Sequence, residues 1–157
     1  MCIRDSTPIL YLFTFLYDQT RYKVHGLWPE EYAECPECSY PSCCDMAFPY
    51  SEPEDPNGFI AANWYNSTST NSCFSEAKNE VGFASEAKNE EKISLFEHEY
   101  IKHGICIKGV NTSTDYLNLV IDLYDVYYNE TADQLCSSGQ LWISLDEDFQ
   151  WLGYQCE

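Results

Sequence analysis

Ile9-Leu10-Tyr11-Leu12-Phe13-Thr14-Phe15-Leu16-Tyr17 is the stretch on which the fold turns. One threonine among apolar and aromatic side chains suits two different things. With Arg4 ahead of it, the run could pass for the apolar region of a secretory signal peptide. No small-residue cleavage site follows, and the aromatic, β-favouring composition suits a buried strand better. The strand reading makes this run the first element of the domain and puts any signal peptide upstream. The six residues before it, Met1–Ser6, match the translation of a common sequencing-adapter sequence and read as foreign, a short natural N-terminus being the alternative. The domain is then residues 7–157, with its own N-terminus incomplete.

Outward from this run, Arg21–His25 alternates: Tyr22 and Val24 point one way, Lys23 and His25 the other, a second strand broken at Gly26. Residues 29–57 read as loop, and Gly58–Tyr65 as a short helix. The polar segment 66–92 holds a direct repeat, Ser-Glu-Ala-Lys-Asn-Glu at 75–80 and 85–90. Ser94 followed by Glu97 is a capping box for a helix from Leu95 to about His103, ended by Gly104. A longer helix is expected over Asp115–Tyr128, capped by Thr114. Its core face is Leu117, Val120, Ile121, Tyr124 and Tyr128. Leu141–Leu145 reads as a strand, Asp146–Asp148 as a turn and Phe149–Tyr154 as the return strand. The order implies an α+β fold: one domain, a mostly antiparallel central sheet flanked by helices and stabilised by disulfides.

The chain has 157 residues, enough for one domain. Lys and Arg total 8 against 26 Asp and Glu, a net charge of −18. So acidic a surface does not hold DNA or an anionic membrane by general electrostatics. No run of about 20 apolar residues marks a membrane span. The 9 cysteines point to an oxidising compartment. Glycosylation sequons at Asn66, Asn111 and Asn129 support the secretory route, so a secreted, lysosomal or vacuolar location is expected. Cys35-x-x-Cys38 and the adjacent Cys43 and Cys44 are poor zinc spacing, and disulfides are the better reading. If Met1–Ser6 is foreign, Cys2 goes with it and an even number remains.

The 3 histidines fall in two short segments: His25-Gly26-Leu27-Trp28-Pro29, and His98-Glu99-Tyr100-Ile101-Lys102-His103-Gly104-Ile105-Cys106. A zinc-protease helix needs histidines at i and i+4, whereas His98 and His103 are about 140° apart around a helix. Glu99, Lys102 and His103 instead share one face. A carboxylate, an ammonium and an imidazole together suit proton transfer beside an anion. The plain structural alternative is a helix salt bridge between Glu99 and Lys102.

Taken together, His-Gly-Leu-Trp-Pro and His-Glu-x-x-Lys-His-Gly-x-Cys resemble the two active-site segments of the ribonuclease T2 family, the transferase-type acid endoribonucleases. The likeness extends more loosely from about Ile9 to Cys156, the closing Leu-Asp-Glu-Asp-Phe-Gln included. It implies cleavage of single-stranded RNA by the neighbouring 2′-OH, through a 2′,3′-cyclic phosphate, by a monomer with no metal and no cofactor. His103 would be the general base and His25 the general acid. Glu99 and Lys102 would stabilise the pentacovalent phosphorane, and His98 would help bind the phosphate. Trp28 would stack on the base and Glu30 contact it. Cys106 would pair with Cys43 or Cys44, and Cys136 with Cys156. The chain departs from the family's pattern at Tyr100, Ile105 and Leu95, and is shortened between Tyr128 and Cys136, as an internal deletion would leave it.

The chemistry is self-consistent. An intramolecular nucleophile needs no metal, and DNA, lacking the 2′-OH, should be inert. Imidazoles titrate near pH 6.5, so one can be neutral while its partner is protonated, giving a bell-shaped rate in pH. In a lumen near pH 4–5 many carboxylates lose charge, which eases the approach of RNA. Two rival readings are a catalytically inactive relative acting in recognition or storage, and a zinc-binding module.

Overall fold

The apolar run that opens the chain is a strand in the middle of the sheet. The computed structural model describes residues 8–32, 44, 50–70, 73, 92–131 and 134–157. Met1–Ser6, Cys35, Cys38, Cys43 and the repeat at 75–90 lie outside the described residues. β1 (Pro8–Tyr17) pairs antiparallel with β2 (Tyr22–Tyr32) on one side and β5 (Gln140–Leu145) on the other. β6 (Trp151–Cys156) pairs antiparallel with β5, so the sheet order is β2-β1-β5-β6. Tyr11 through Phe15 are all buried. A strand covered on both faces reads as a continuous apolar run instead of an alternating one. Its turn into β2 is organised by Asp18, whose carboxylate accepts from the Thr20 hydroxyl and from the N–H groups of Thr20 and Arg21. Those donors, the Thr20 hydroxyl foremost, hold this carboxyl well below the usual carboxylate range.

β2 does not stop at Gly26, as its pattern had suggested, but continues to Tyr32. The break in alternation is a β-bulge. Thr14 faces Gly26 while Phe15 faces Val24, so His25 is the extra residue on β2. A bulge re-aims the side chain that carries it.

Among the described residues there are three α-helices. In α1 (Phe59–Asn63) the first N–H groups are capped by the Asp55 carboxylate. In α2 (Leu95–Lys102) Ser94 Oγ accepts from the Glu97 N–H at 3.2 Å, as the capping box required. The helix ends one residue early, with His103 as its C-cap, and a 3-10 turn (Gly104–Cys106) follows. α3 (Ser113–Thr131) begins earlier than expected, because Thr112 and not Thr114 is the cap. Thr112 Oγ1 accepts from the Asp115 N–H, while the Asp115 carboxylate reaches back to the N–H groups of Asn111 and Thr112. Two three-residue strands, β3 (Thr68–Thr70) and β4 (Lys92–Ser94), pair at the two ends of the polar segment 66–92, where no strand was expected. They are too short and polar to leave a periodic signal. β6 begins at Trp151, two residues later than expected. Phe149 lies in the preceding turn at φ 59°, with Asp146 accepting from the N–H groups of Asp148 and Gln150.

The core fills the space between sheet and helices. Phe13, Phe15, Leu27, Leu141, Ile143 and Leu145 meet Tyr116, Leu117, Val120 and Leu123 of α3. Of the expected helix face, Leu117 and Val120 are buried, whereas Ile121, Tyr124 and Tyr128 only flank the core. Cys44 is disulfide-bonded to Cys106, and Cys136 to Cys156. The architecture is an α+β domain with an antiparallel sheet, as the sequence implied.

Candidate active site

β2 and α2 face one another across a cleft of about 360 Å³. From β2 come His25, Trp28 and Glu30; from α2 and its cap come His98, Glu99, Lys102 and His103. Every candidate site residue read from the sequence therefore lines one cavity. His103 reaches it from the C-cap, where φ −123° takes the chain off the helical path. That is how His98 and His103, split by ideal helix geometry, come to share a cleft.

The approach of the two elements depends on glycine. A Cβ on Gly26 would stand 2.8 Å from Glu99 Oε2 and about as close to the carbons behind it, at 3.1 and 3.2 Å. Glu99 is buried, only 3% exposed, and its Oε1 lies 3.1 Å from His25 Nε2. A carboxylate only accepts, so His25 Nε2 carries the proton between them. His25 Nδ1 and Glu99 Oε2 are buried with no hydrogen-bond partner among the described residues. The helix salt bridge between Glu99 and Lys102 is not formed: Glu99 turns to His25, and Lys102 stands in the cleft wall.

Two neighbours fix the imidazoles. The Trp28 indole lies 5.1 Å from His103, tilted by 33°, and 5.4 Å from His25, nearly perpendicular. His98 Nδ1 is 2.8 Å from the Thr70 carbonyl. A carbonyl can only accept, so Nδ1 bears the hydrogen and Nε2 is left for the cleft. Beneath the site, Thr14 Oγ1 donates to the Gly26 carbonyl. The Tyr116 hydroxyl donates to the Leu27 carbonyl and accepts from its N–H, both at 2.9 Å. Its ring also packs where a Cβ on Gly104 would come within 2.9 Å. One phenol thus braces both segments. Burial, and then the nearby Glu99 carboxylate, hold its ionisation well above the usual tyrosine range, so it stays a donor.

The sequence reading missed four residues of the cleft: Leu12, Gln140, Trp142 and Glu157. The alternation along β5 held a signal, since Gln140, Trp142 and Ser144 are half-buried between buried Leu141, Ile143 and Leu145. A larger groove of about 490 Å³, by Lys108, Asp115, Asp122 and Glu147, contains none of the histidines.

An α+β domain that gathers imidazoles, a buried carboxylate and an ammonium in one cleft has the groups of an acid–base enzyme acting on an anion. The chain belongs to the ribonuclease T2 family, whose family model matches residues 1–139. The match stops just before the β5–β6 hairpin. No curated protein sequence matches the chain. Family membership supports an endoribonuclease, an RNA-cleaving enzyme. Among the described residues no helix is long and apolar enough to cross a membrane.

Proposed function

We propose that the protein is a metal-independent endoribonuclease that cleaves single-stranded RNA by transphosphorylation. The observation that carries this reading is the convergence of all seven candidate residues on one cleft, with Glu99 against His25. His103 takes the proton of the ribose 2′-OH as the 2′-oxygen attacks phosphorus. His25 gives its proton to the departing 5′-oxygen as the P–O5′ bond breaks. A 2′,3′-cyclic phosphate and a free 5′-OH result. Lys102 supplies positive charge to the phosphorane, Glu99 accepts from His25 Nε2 and so orients the imidazole, and His98 Nε2 faces the phosphate. Trp28 presents what the two imidazoles leave of its indole to the base, with Glu30 beside it. The protein works as a monomer, in the secretory pathway or a lysosome or vacuole. The disulfides and the exposed sequon residues Asn66, Asn111 and Asn129 suit that route.

The test is cleavage of total RNA at pH 5 in excess chelator, with wild type and His103→Ala compared. The wild type should leave cyclic-phosphate ends with a bell-shaped pH dependence. The variant should lose about 10²–10⁴-fold in rate, the scale of one acid–base group. A folded wild type that leaves RNA intact would overturn this reading in favour of an inactive recognition or storage relative.

A further inference from the structure

The aromatic side chains of the cleft are not equivalent. Trp28 has His103 over it at 5.1 Å and His25 perpendicular to it at 5.4 Å, so much of its surface is spent on ordering the imidazoles. Trp142 lines the same cleft from β5, and among the described residues no aromatic ring packs on it. Its indole N–H donates to Gln140 Oε1 at 3.2 Å. That bond fixes the plane of the ring, and it leaves the amide NH₂ of Gln140 to donate elsewhere.

The register explains why a residue so far along the chain reaches the site. Leu12 of β1 faces Trp28 of β2, and Thr14 of β1 faces Trp142 of β5. Directly opposed residues share a face of the sheet, and so do alternate residues of one strand. Trp28, Leu12 and Trp142 are therefore all on the cleft side, with the two indoles two strands apart, roughly 10 Å across the sheet. That separation is too wide for one base to bridge.

We propose that Trp142, oriented by Gln140, is a nucleobase platform of this cleft, taking the base on the far side of the scissile phosphate from Trp28. The inference rests on the ribonuclease reading for its substrate, and its ligand is an unstacked base of single-stranded RNA. Two bases seated roughly 10 Å apart on one face of the sheet cannot stay stacked on one another, so a duplex is excluded by geometry. Stacking is indifferent to base identity because every base has a π-face. Selectivity on this side would come from the Gln140 NH₂, which favours a base carrying an outward carbonyl.

The experiment separates binding from cleavage. A fluorescently labelled 2′-O-methyl RNA hexamer has no free 2′-OH, so it binds without being cut. Its dissociation constant is measured by anisotropy at pH 5 for wild type, Trp142→Phe and Trp142→Leu. Leu keeps apolar volume and loses the π-face, so it distinguishes stacking from packing. Trp142→Leu should weaken binding about 5- to 100-fold, the scale of one base–aromatic stack, and Trp142→Phe should restore most of it. On cleavable RNA the Trp142→Leu loss should fall on KM and leave the pH profile unmoved. Equal affinity for all three proteins, equal losses in Phe and Leu, or no hexamer binding by wild type would each overturn the platform. Failure of the ribonuclease reading would show separately, as uncut RNA with wild type.

Discussion

β2 and β6 are the outer strands of one four-stranded sheet, and their free edges are treated in opposite ways. On β2 the outward groups are taken up along the strand. The Tyr22 carbonyl accepts from the Tyr128 hydroxyl and the Val24 carbonyl from the Tyr65 N–H, while Leu27 gives and receives a bond with Tyr116. On β6, among the described residues, nothing bonds to the outer edge. Trp151, Leu152 and Tyr154 are exposed there. Both outer strands carry a bulge, at His25 on β2 and at Leu152 on β6, but only the one on the covered edge bears a histidine. A bulge gives up ladder pairing, and one that must aim a catalytic side chain needs surroundings that hold it in place. The covered edge supplies those surroundings, with Tyr116 bonding β2 two residues after the bulge and Glu99 packed on Gly26.

The comparison breaks most readily at Gly26. Gly26→Ala should push Glu99 off His25 and lower RNA cleavage by about 10²-fold, the scale set by misplacement of roughly 1 Å in a catalytic group. Unchanged activity would show that the close approach of β2 and α2 is not what seats the carboxylate. Tyr116→Phe is gentler. It keeps the ring but leaves the Leu27 N–H and carbonyl without their partner, at about 1–3 kcal/mol. Denaturant unfolding should show the midpoint falling with the slope unchanged. A neutral result would mean that water or another group replaces the phenol. Leu152→Lys at the bare edge should shift stability by no more than about 0.5 kcal/mol, as surface changes do. A larger loss in a thermal melt would mean that this edge is also covered in solution.

What the sequence revealed follows the same division between local and distant relations. The α2 cap was legible because Ser94 and Glu97 are one turn apart. β1 was legible because a doubly buried strand is apolar throughout. The bulge was not: a lapse of alternation at Gly26 looks the same whether a strand ends or gains a residue. Nor could Thr112, Ser113 and Thr114, three hydroxyls in a row, be ranked as caps without the backbone that selects Thr112. The choice of Cys44 over Cys43 is of the same kind, since adjacent residues differ mainly in the direction they leave the chain. At the site, the two motif segments announced His25, Trp28, Glu99, Lys102 and His103. Alternation along β5 puts Gln140 and Trp142 on one face, but what brings that face to the cleft is the register across β1, which no local pattern encodes.

The central place of β1 has a consequence for how the protein is made. One flank of β1 closes on β2, the next strand to leave the ribosome, but the other closes on β5, where Phe13 meets Ile143. Until that late segment emerges, Phe13 and Phe15 lack one wall, and the early hairpin presents a sticky, unpaired flank to the cell. Such non-local pairing slows folding and exposes intermediates to aggregation. During synthesis the growing chain therefore depends on help, or on speed, to carry its first strand intact to its last.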